Sequence, residues 1–473
     1  MFSKCSEFLK KMPMLQWFNN IYNSVVGSQI TIYFILFCAY FHNILRISQG
    51  SDITLFRVLI PLSLCIIFKH SRKVFLVLCI CSGAFVVLSV IQYILSRNVF
   101  FPEIDFDFVN MIKFWIHLLS IFMFTGLIVV LKKIEGGHFL KKYTTFNTII
   151  IKCAIICDIL FLLSGQEYKK FSLFGNINDF GCAMVAGMAI ILCGNTPWLS
   201  KGIWCGCIFV LLYKDDSKLA LIGAVMMVII FGIIEIDKYY YKKSKLEDIC
   251  ADKNHEKIKN GICVKTIIFR YWRLLSVLIF LILCLCLLFI PIKINGYNVG
   301  TMIKNAFSQL FSGEYYDNSE SSLLFRVNAV IGIGTVLKKT LWFGVGVGNT
   351  GVILRVILPS MDTMFENHIY VAPHIWWLEL FADIGIVVII PAVVLFGCHI
   401  KRFLTKHYID TYDILQSITL LSFPVWCMSS SGLYTEYYTL SLIIVAIIGF
   451  APHLSRWLPK IRNGIFCVIG KNR

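Results

Sequence analysis

The chain has 473 residues, of which 58% are hydrophobic and only 15% charged, and its mean hydropathy is +0.76. A soluble domain is about a quarter charged, so the composition excludes an ordinary soluble globule and indicates a polytopic membrane protein. The net charge of +17 would suit nucleic acid if the basic residues clustered on a soluble face; here they sit mostly between apolar runs, where they report topology.

A helix needs roughly 20 apolar residues to cross a bilayer. That rule predicts twelve spans, near 28–46, 54–68, 74–95, 110–131, 146–164, 180–194, 199–213, 218–236, 272–291, 375–399, 413–430 and 437–452. The second, sixth, seventh and twelfth are short or soft. With the N-terminus inside, 29 of the 44 Lys and Arg fall on cytoplasmic segments. Outer loops, together with the span ends that border them (Arg46, Lys113, Lys218), carry 13, six of them in the long loop 292–374, and Arg57 and Lys152 lie deeper within spans. The bias predicts both termini in the cytoplasm and 292–374 outside. The expected organisation is an all-α N-terminal bundle over 1–291, an outer loop over 292–374, and C-terminal helices with a basic tail over 375–473.

No short apolar segment with a small-residue cleavage site opens the chain, so no removable signal peptide is expected. The 18 cysteines fall largely in apolar stretches, and no C-x-x-C pair occurs. They read as small buried hydrophobes rather than zinc ligands or a disulfide framework. The basic stretch Lys238–Arg270 reads as a cytoplasmic anchor on anionic lipid.

Ionisable residues inside spans are costly and count as functional candidates. Arg57, His117, Lys152 and Asp158 are of this kind, although each could also be a helix-end residue reaching for the interface. The turns predicted to face outward are richer. In KKFSLFGNINDFG, residues 169–181, Asn178 and Asp179 precede the sixth span; helix capping accounts for one of them. In YKDDSKLALIG, residues 213–223, capping explains Asp216 or Ser217, but Lys218 opposes the helix dipole.

The long loop supplies the rest. Arg326 lies among Leu323, Leu324, Val327, Val330 and Ile331 at helical spacing, and a guanidinium matches phosphate oxygens in a fork. GVGVGN, with Gly346, Gly348 and Asn349, allows close backbone approach to a ligand or a tight turn. His374 stands before Trp376 and Trp377 at a predicted interface, where an imidazole could take a proton from a sugar hydroxyl; His368 is an alternate. Glu379 and Asp383 are one helical turn apart within a span.

The order FGNIND, DDSKLALIG, SLLFR, FGVGVGN, PHIWWLELFADIG resembles the O-antigen ligase and O-antigen polymerase superfamily of bacterial envelope glycosyltransferases, over about residues 171–390. The resemblance implies a GT-C-like fold of about a dozen helices acting on the outer face of the cytoplasmic membrane. The expected donor is a polyprenyl-diphosphate-linked oligosaccharide, with no cofactor, metal or nucleic acid. Other polysaccharide-assembly proteins are expected partners. His374, Arg326 and Glu379 would be catalytic. Lys218, Asp216, Ser217, Asn178, Asp179, Gly346, Gly348, Asn349, His368 and Asp383 would bind substrate. In the ligase signature Ile375 replaces a polar residue and Val388 a glycine, which favours polymerase over ligase. A transporter would be expected to show internal repeats, and none is visible.

Overall fold

The computed structural model describes residues 29–42, 44–45, 54–106, 108–164, 177–214, 217–251, 293–294, 297–298, 308, 312, 322–358, 375–405, 410–426 and 437–449. Among the described residues the regular elements are helical apart from a two-residue antiparallel pair, β1 (Lys293–Ile294) with β2 (Tyr297–Asn298). The N-terminal helices are α1 (Gln29–Tyr40), α2 (Leu55–Val58), α3 (Ile60–His70), α4 (Arg72–Leu95), α5 (Phe108–Glu135) and α6 (Phe139–Leu163). There follow α7 (Ile177–Cys193), α8 (Trp198–Lys214), α9 (Lys218–Ala251), α10 (Ser322–Lys339) and α11 (Thr350–Ile357). The last are α12 (Trp376–Ile384), α13 (Ile386–Thr405), α14 (Thr411–Trp426) and α15 (Tyr437–Gly449).

Four described segments are long and apolar enough to cross a membrane: Arg72–Phe100, Met111–Leu163, Leu219–Tyr239 and Ile386–Thr405. The second, 53 residues long, comprises α5 and α6 joined by a short turn at Gly136–His138. The run near 272–291 lies outside the described residues. Two boundaries differ from the sequence reading. The basic stretch expected as a loop after 236 begins as helix, because α9 continues to Ala251. The run 375–399, read as one span, is broken at Gly385 into α12 and α13.

The bundle is built around α7, in which every residue from Asp179 to Cys193 is buried. A helix apolar all round is buried in protein or in lipid, and α7 is enclosed by protein, packed by α6, α8, α9 and α14. Small residues let these helices approach. Gly187 of α7 lies against Ile151 of α6, and Gly181 faces Ser217 and Ala220 at the start of α9. Gly223 of α9 lies against Trp426 of α14, whose carbonyl accepts from the Cys182 thiol at 3.2 Å.

One end of the bundle is stitched by basic side chains. Lys133 donates to the His70 carbonyl at 2.8 Å and Lys132 to that of Ile448 at 3.4 Å. Glu135 pairs with Lys142 at 3.4 Å and accepts from the Tyr33 hydroxyl. Arg402 pairs with Asp413 and donates to Gln416, tying α13 to α14. At the opposite end a second apolar cluster joins the end of α4 and residues 101–106 to α10, α11 and α12 through Tyr93, Phe101, Ile333, Leu337, Val345 and Leu354, among others.

These contacts set a packing test. A side chain added at Gly187 collides with buried Ile151, so Gly187→Leu should destabilise by about 1–3 kcal/mol, as overpacked cores do. Gly206→Ala meets nothing within 4 Å and should be neutral or slightly stabilising. Thermal unfolding of the purified protein in detergent checks both.

Candidate functional site

The break between α12 and α13 organises the end of the bundle where the candidate residues gather. Gly385 adopts φ 73°, a left-handed conformation that costs an L side chain and that glycine takes freely. A Cβ there would collide with the backbone of Trp342 and Phe343, so the residue is fixed by space as well as by torsion. Ending a helix in an apolar setting strands its last carbonyls. Here each has a donor: Val345 N reaches Ala382 O at 3.0 Å and Gly346 N reaches Asp383 O at 2.9 Å from elsewhere in the chain, while the helix's own cap, Gly385 N, returns to Phe381 O at 2.8 Å. The Gln92 amide of α4 donates to Ile384 O at 3.1 Å and to Phe343 O at 2.5 Å. Ile386 N, the first donor of α13, is accepted by Trp342 O at 2.8 Å.

The Gly-rich loop is therefore a cap. Its remaining donors are also accepted within the protein: Val347 N by the Ser89 hydroxyl at 3.1 Å, Gly348 N by Asp383 Oδ2 at 3.0 Å, and Asn349 N by Gly346 O at 3.1 Å. Thr350 N and Thr350 Oγ1 both donate to Asp383 Oδ1, at 3.2 and 2.6 Å. Six consecutive backbone N–H groups, Val345 to Thr350, are thus satisfied internally. Asp383 is fully buried and caps the N-terminus of α11, while the Asn349 amide turns back to Val345 O at 2.8 Å. Gly346, Gly348, Asn349 and Asp383, expected to approach a ligand, here hold α11 against α12.

Arg326 projects from α10, which packs on α11 and α12, and lies within electrostatic reach of Cys182 in α7. Burial lowers its pKa from the ordinary value, with Cys182 acting in the opposite sense. A guanidinium stays protonated at neutral pH. Buried Ser217 stands directly against Gly181, beside Cys182, and Asp179 is buried on the same end of α7. The stretches carrying Asp179 and Ser217, far apart in sequence, thus pack together at one end of α7, and Arg326 comes within electrostatic reach of that end. Glu379 is buried on α12, one turn before Asp383. His368, His374 and Asp216 lie outside the described residues, and Asn178 and Lys218 are described by their backbone alone.

Beside this region, residues 97–105 form an open cleft of about 400 Å³ lined by Arg97, Asn98, Pro102, Glu103, Ile104 and Asp105. Lys339 of α10 pins its rim, pairing with Glu103 at 3.1 Å and lying 4.2 Å from the Phe101 ring centre. Hydrogen bonding by its own backbone and by Lys339 lowers the Glu103 pKa. Among the described residues, no group of three His, Cys, Asp or Glu side chains is arranged to hold a metal ion.

Sequence reasoning missed Ser89, Gln92 and Ser96. All three face the Gly-rich loop; Ser89 also accepts from Trp115 at 3.0 Å, and Ser96 donates to Val345 O at 3.2 Å. Their signal was present: three polar residues at i, i+3 and i+7 mark one face of an otherwise apolar helix. The structure also joins two intramembrane leads that the sequence left separate, with Arg57 Nη2 lying 2.9 Å from His117 Nδ1.

Removing the Asp383 carboxylate orphans buried donors, each costing about 1–3 kcal/mol. Asp383→Ala should therefore lower the thermal midpoint by several degrees, and Thr350→Val, which loses one bond, by less. Gly385→Ala should abolish folded protein, read as loss of the monodisperse peak in size exclusion.

The chain matches no protein-family model, no curated protein and no solved structure.

Proposed function

We propose that the chain is a bacterial polysaccharide polymerase of the O-antigen ligase and polymerase type. In this reading it spans the cytoplasmic membrane twelve times in a GT-C-like arrangement with both termini inside. It joins polyprenyl-diphosphate-linked oligosaccharide units on the outer face. The observation that carries the reading is that Arg326 lies within electrostatic reach of Cys182, at the end of α7 where Asp179 is buried and Ser217 packs against Gly181. These are the stretches through which the sequence resembles that superfamily.

The chemistry follows from the residue types. A sugar diphosphate already carries a good leaving group, and the catalytic demand is to stabilise negative charge as the glycosidic phosphate bond breaks. Arg326 meets that demand with a fixed fork of donors, and Lys218 adds a second cation at the start of α9. His374, two residues before the start of α12 in the sequence, takes the proton from the acceptor hydroxyl, with Glu379 as the group that orients it. Direct in-line attack by that hydroxyl inverts the anomeric carbon. Asp383 and the Gly-rich loop serve this site by fixing α11 relative to α12, on both of which α10 packs.

The runner-up is a ligase that moves the lipid-linked glycan to a surface acceptor. Ile375 and Val388, which depart from the ligase signature, favour the polymerase.

Deleting the gene and profiling lipid-linked glycans by mass spectrometry, with membrane sidedness checked, separates the readings. Single repeat units accumulating on the outer leaflet are expected. Long chains retained on the carrier would indicate the ligase. Single units trapped on the inner leaflet would indicate a flippase and refute glycosyl transfer. In a complemented strain Arg326→Ala should cut polymer formation by about 10²–10³-fold, the cost of losing one donor to developing charge. Arg326→Lys should recover only part of it.

A further inference from the structure

We propose that Asp158 is a proton-binding site inside the bundle, its carboxyl group protonated while α6 packs on α7 and ionised when the two helices separate. The residue lies within Met111–Leu163, a segment long and apolar enough to cross a membrane. It is 0% exposed, and neither carboxyl oxygen has a hydrogen-bond partner. Asp158 ends the buried stripe of α6, after Asn147, Ile151 and Ala154 at helical spacing. Ile151 lies against Gly187 of α7, and Thr148 lies near Gly194 just past its end, so the two helices run antiparallel. Seven residues beyond Ile151, roughly 10 Å along the axis, Asp158 stands level with the first turn of α7.

α6 packs on α5, α7 and α8. Towards this end they carry the titratable groups Lys113 and His117, Asp179 and Cys182, and Cys207, Tyr213 and Lys214. None of them hydrogen-bonds to Asp158. On α6 itself, Lys152 lies over the Trp204 ring of α8, 5.0 Å from its centre. Asp383 shows the alternative: equally buried, it accepts from Gly348 N, Thr350 N and Thr350 Oγ1 and can carry its charge. A carboxylate with no donor at all is far costlier to bury, and such a group takes up a proton instead. Reaching water is closed to it, because an aspartate is short and a helical side chain leans toward its helix's N-terminus, here away from the Leu163 end. Parting α6 from α7 admits water, and the acid then gives its proton to solvent. The charge must be discharged before the helices close again, so closure is linked to one proton. The site stands whether or not the chain transfers sugars.

The test uses the full chain purified in detergent. Infrared difference spectra of wild type against Asp158→Asn read the protonation state directly. At neutral pH the C=O stretch of a protonated carboxyl group is expected, missing from the variant; a carboxylate band in its place would overturn the proposal. Glu103→Gln, which removes an exposed acid, should leave that C=O band unchanged. Thermal unfolding supplies the second readout. The folded chain keeps a proton that the unfolded chain gives up above the ordinary aspartate pKa of about 4, so this residue's contribution falls as pH rises. From about pH 5 to 7 the wild-type unfolding constant should grow relative to that of Asp158→Asn, by up to about tenfold per pH unit. Equal pH profiles, or a relative gain for wild type with pH, would overturn the linkage. Should Asp158→Asn yield no folded protein, Asp158→Leu, which fills the space without a polar group, is the reference for both measurements.

Discussion

Breaking a helix where water is scarce leaves carbonyls that must find donors inside the protein, and the break at Gly385 imposes this constraint on everything near it. Two otherwise distant pieces of chain, the stretch 342–350 and α4, meet there because they supply what it lacks. The loop 345–350 gives backbone donors, α4 gives the Gln92 amide, Trp342 gives an acceptor to α13, and Asp383 accepts from the loop in return. The exchange is reciprocal: the loop caps the end of α12, and a side chain of α12 caps the start of α11. Loosening one partner exposes polar groups on both, so the elements carrying Arg326 and Glu379 hold their relative positions as a unit.

The rest of the bundle works by the opposite means. Around α7 almost no polar exchange is needed; glycines at 181, 187 and 223 bring backbones together, and dispersion and shape hold them. Polar stitching is confined largely to the ends, with lysines and arginines on carbonyls and carboxylates at one end and the Gly-rich cap at the other. Close packing through the middle with directional bonds at the ends suits a bundle that presents an ordered surface at a membrane boundary.

The long apolar helices were legible because the faces they turn outward are as apolar as those they bury, which leaves uninterrupted hydrophobic runs. The break at Gly385 was not, because the apolar run passes straight through it and only the position of a backbone 40 residues away forces the turn. Asp383 shows the same limit. As an ionisable residue in an apparent span it reads as a ligand candidate, yet the donors that satisfy it come from Gly348 and Thr350 across a loop. Conversely, Gln92 was readable from its spacing with Ser89 and Ser96, and passed unnoticed because neutral polar residues attract less attention than charges. Arg57 and His117 were visible as residues, but sixty positions apart nothing in the sequence pairs them.

Glycine-rich turns before helices hold phosphates elsewhere because they present open N–H groups at the positive end of a helix dipole. In this protein the same geometry at α11 already has its anion: the Asp383 carboxyl group sits where a ligand phosphate would, and the neighbouring donors are accepted by Ser89, Gly346 and the end of α12. A phosphate entering the loop would have to displace a fully buried acid that also holds α12 in place. In the proposed function, anion recognition therefore falls to a cationic side chain rather than to backbone, which moves the weight of the phosphate chemistry off the Gly-rich motif and onto Arg326, within electrostatic reach of α7.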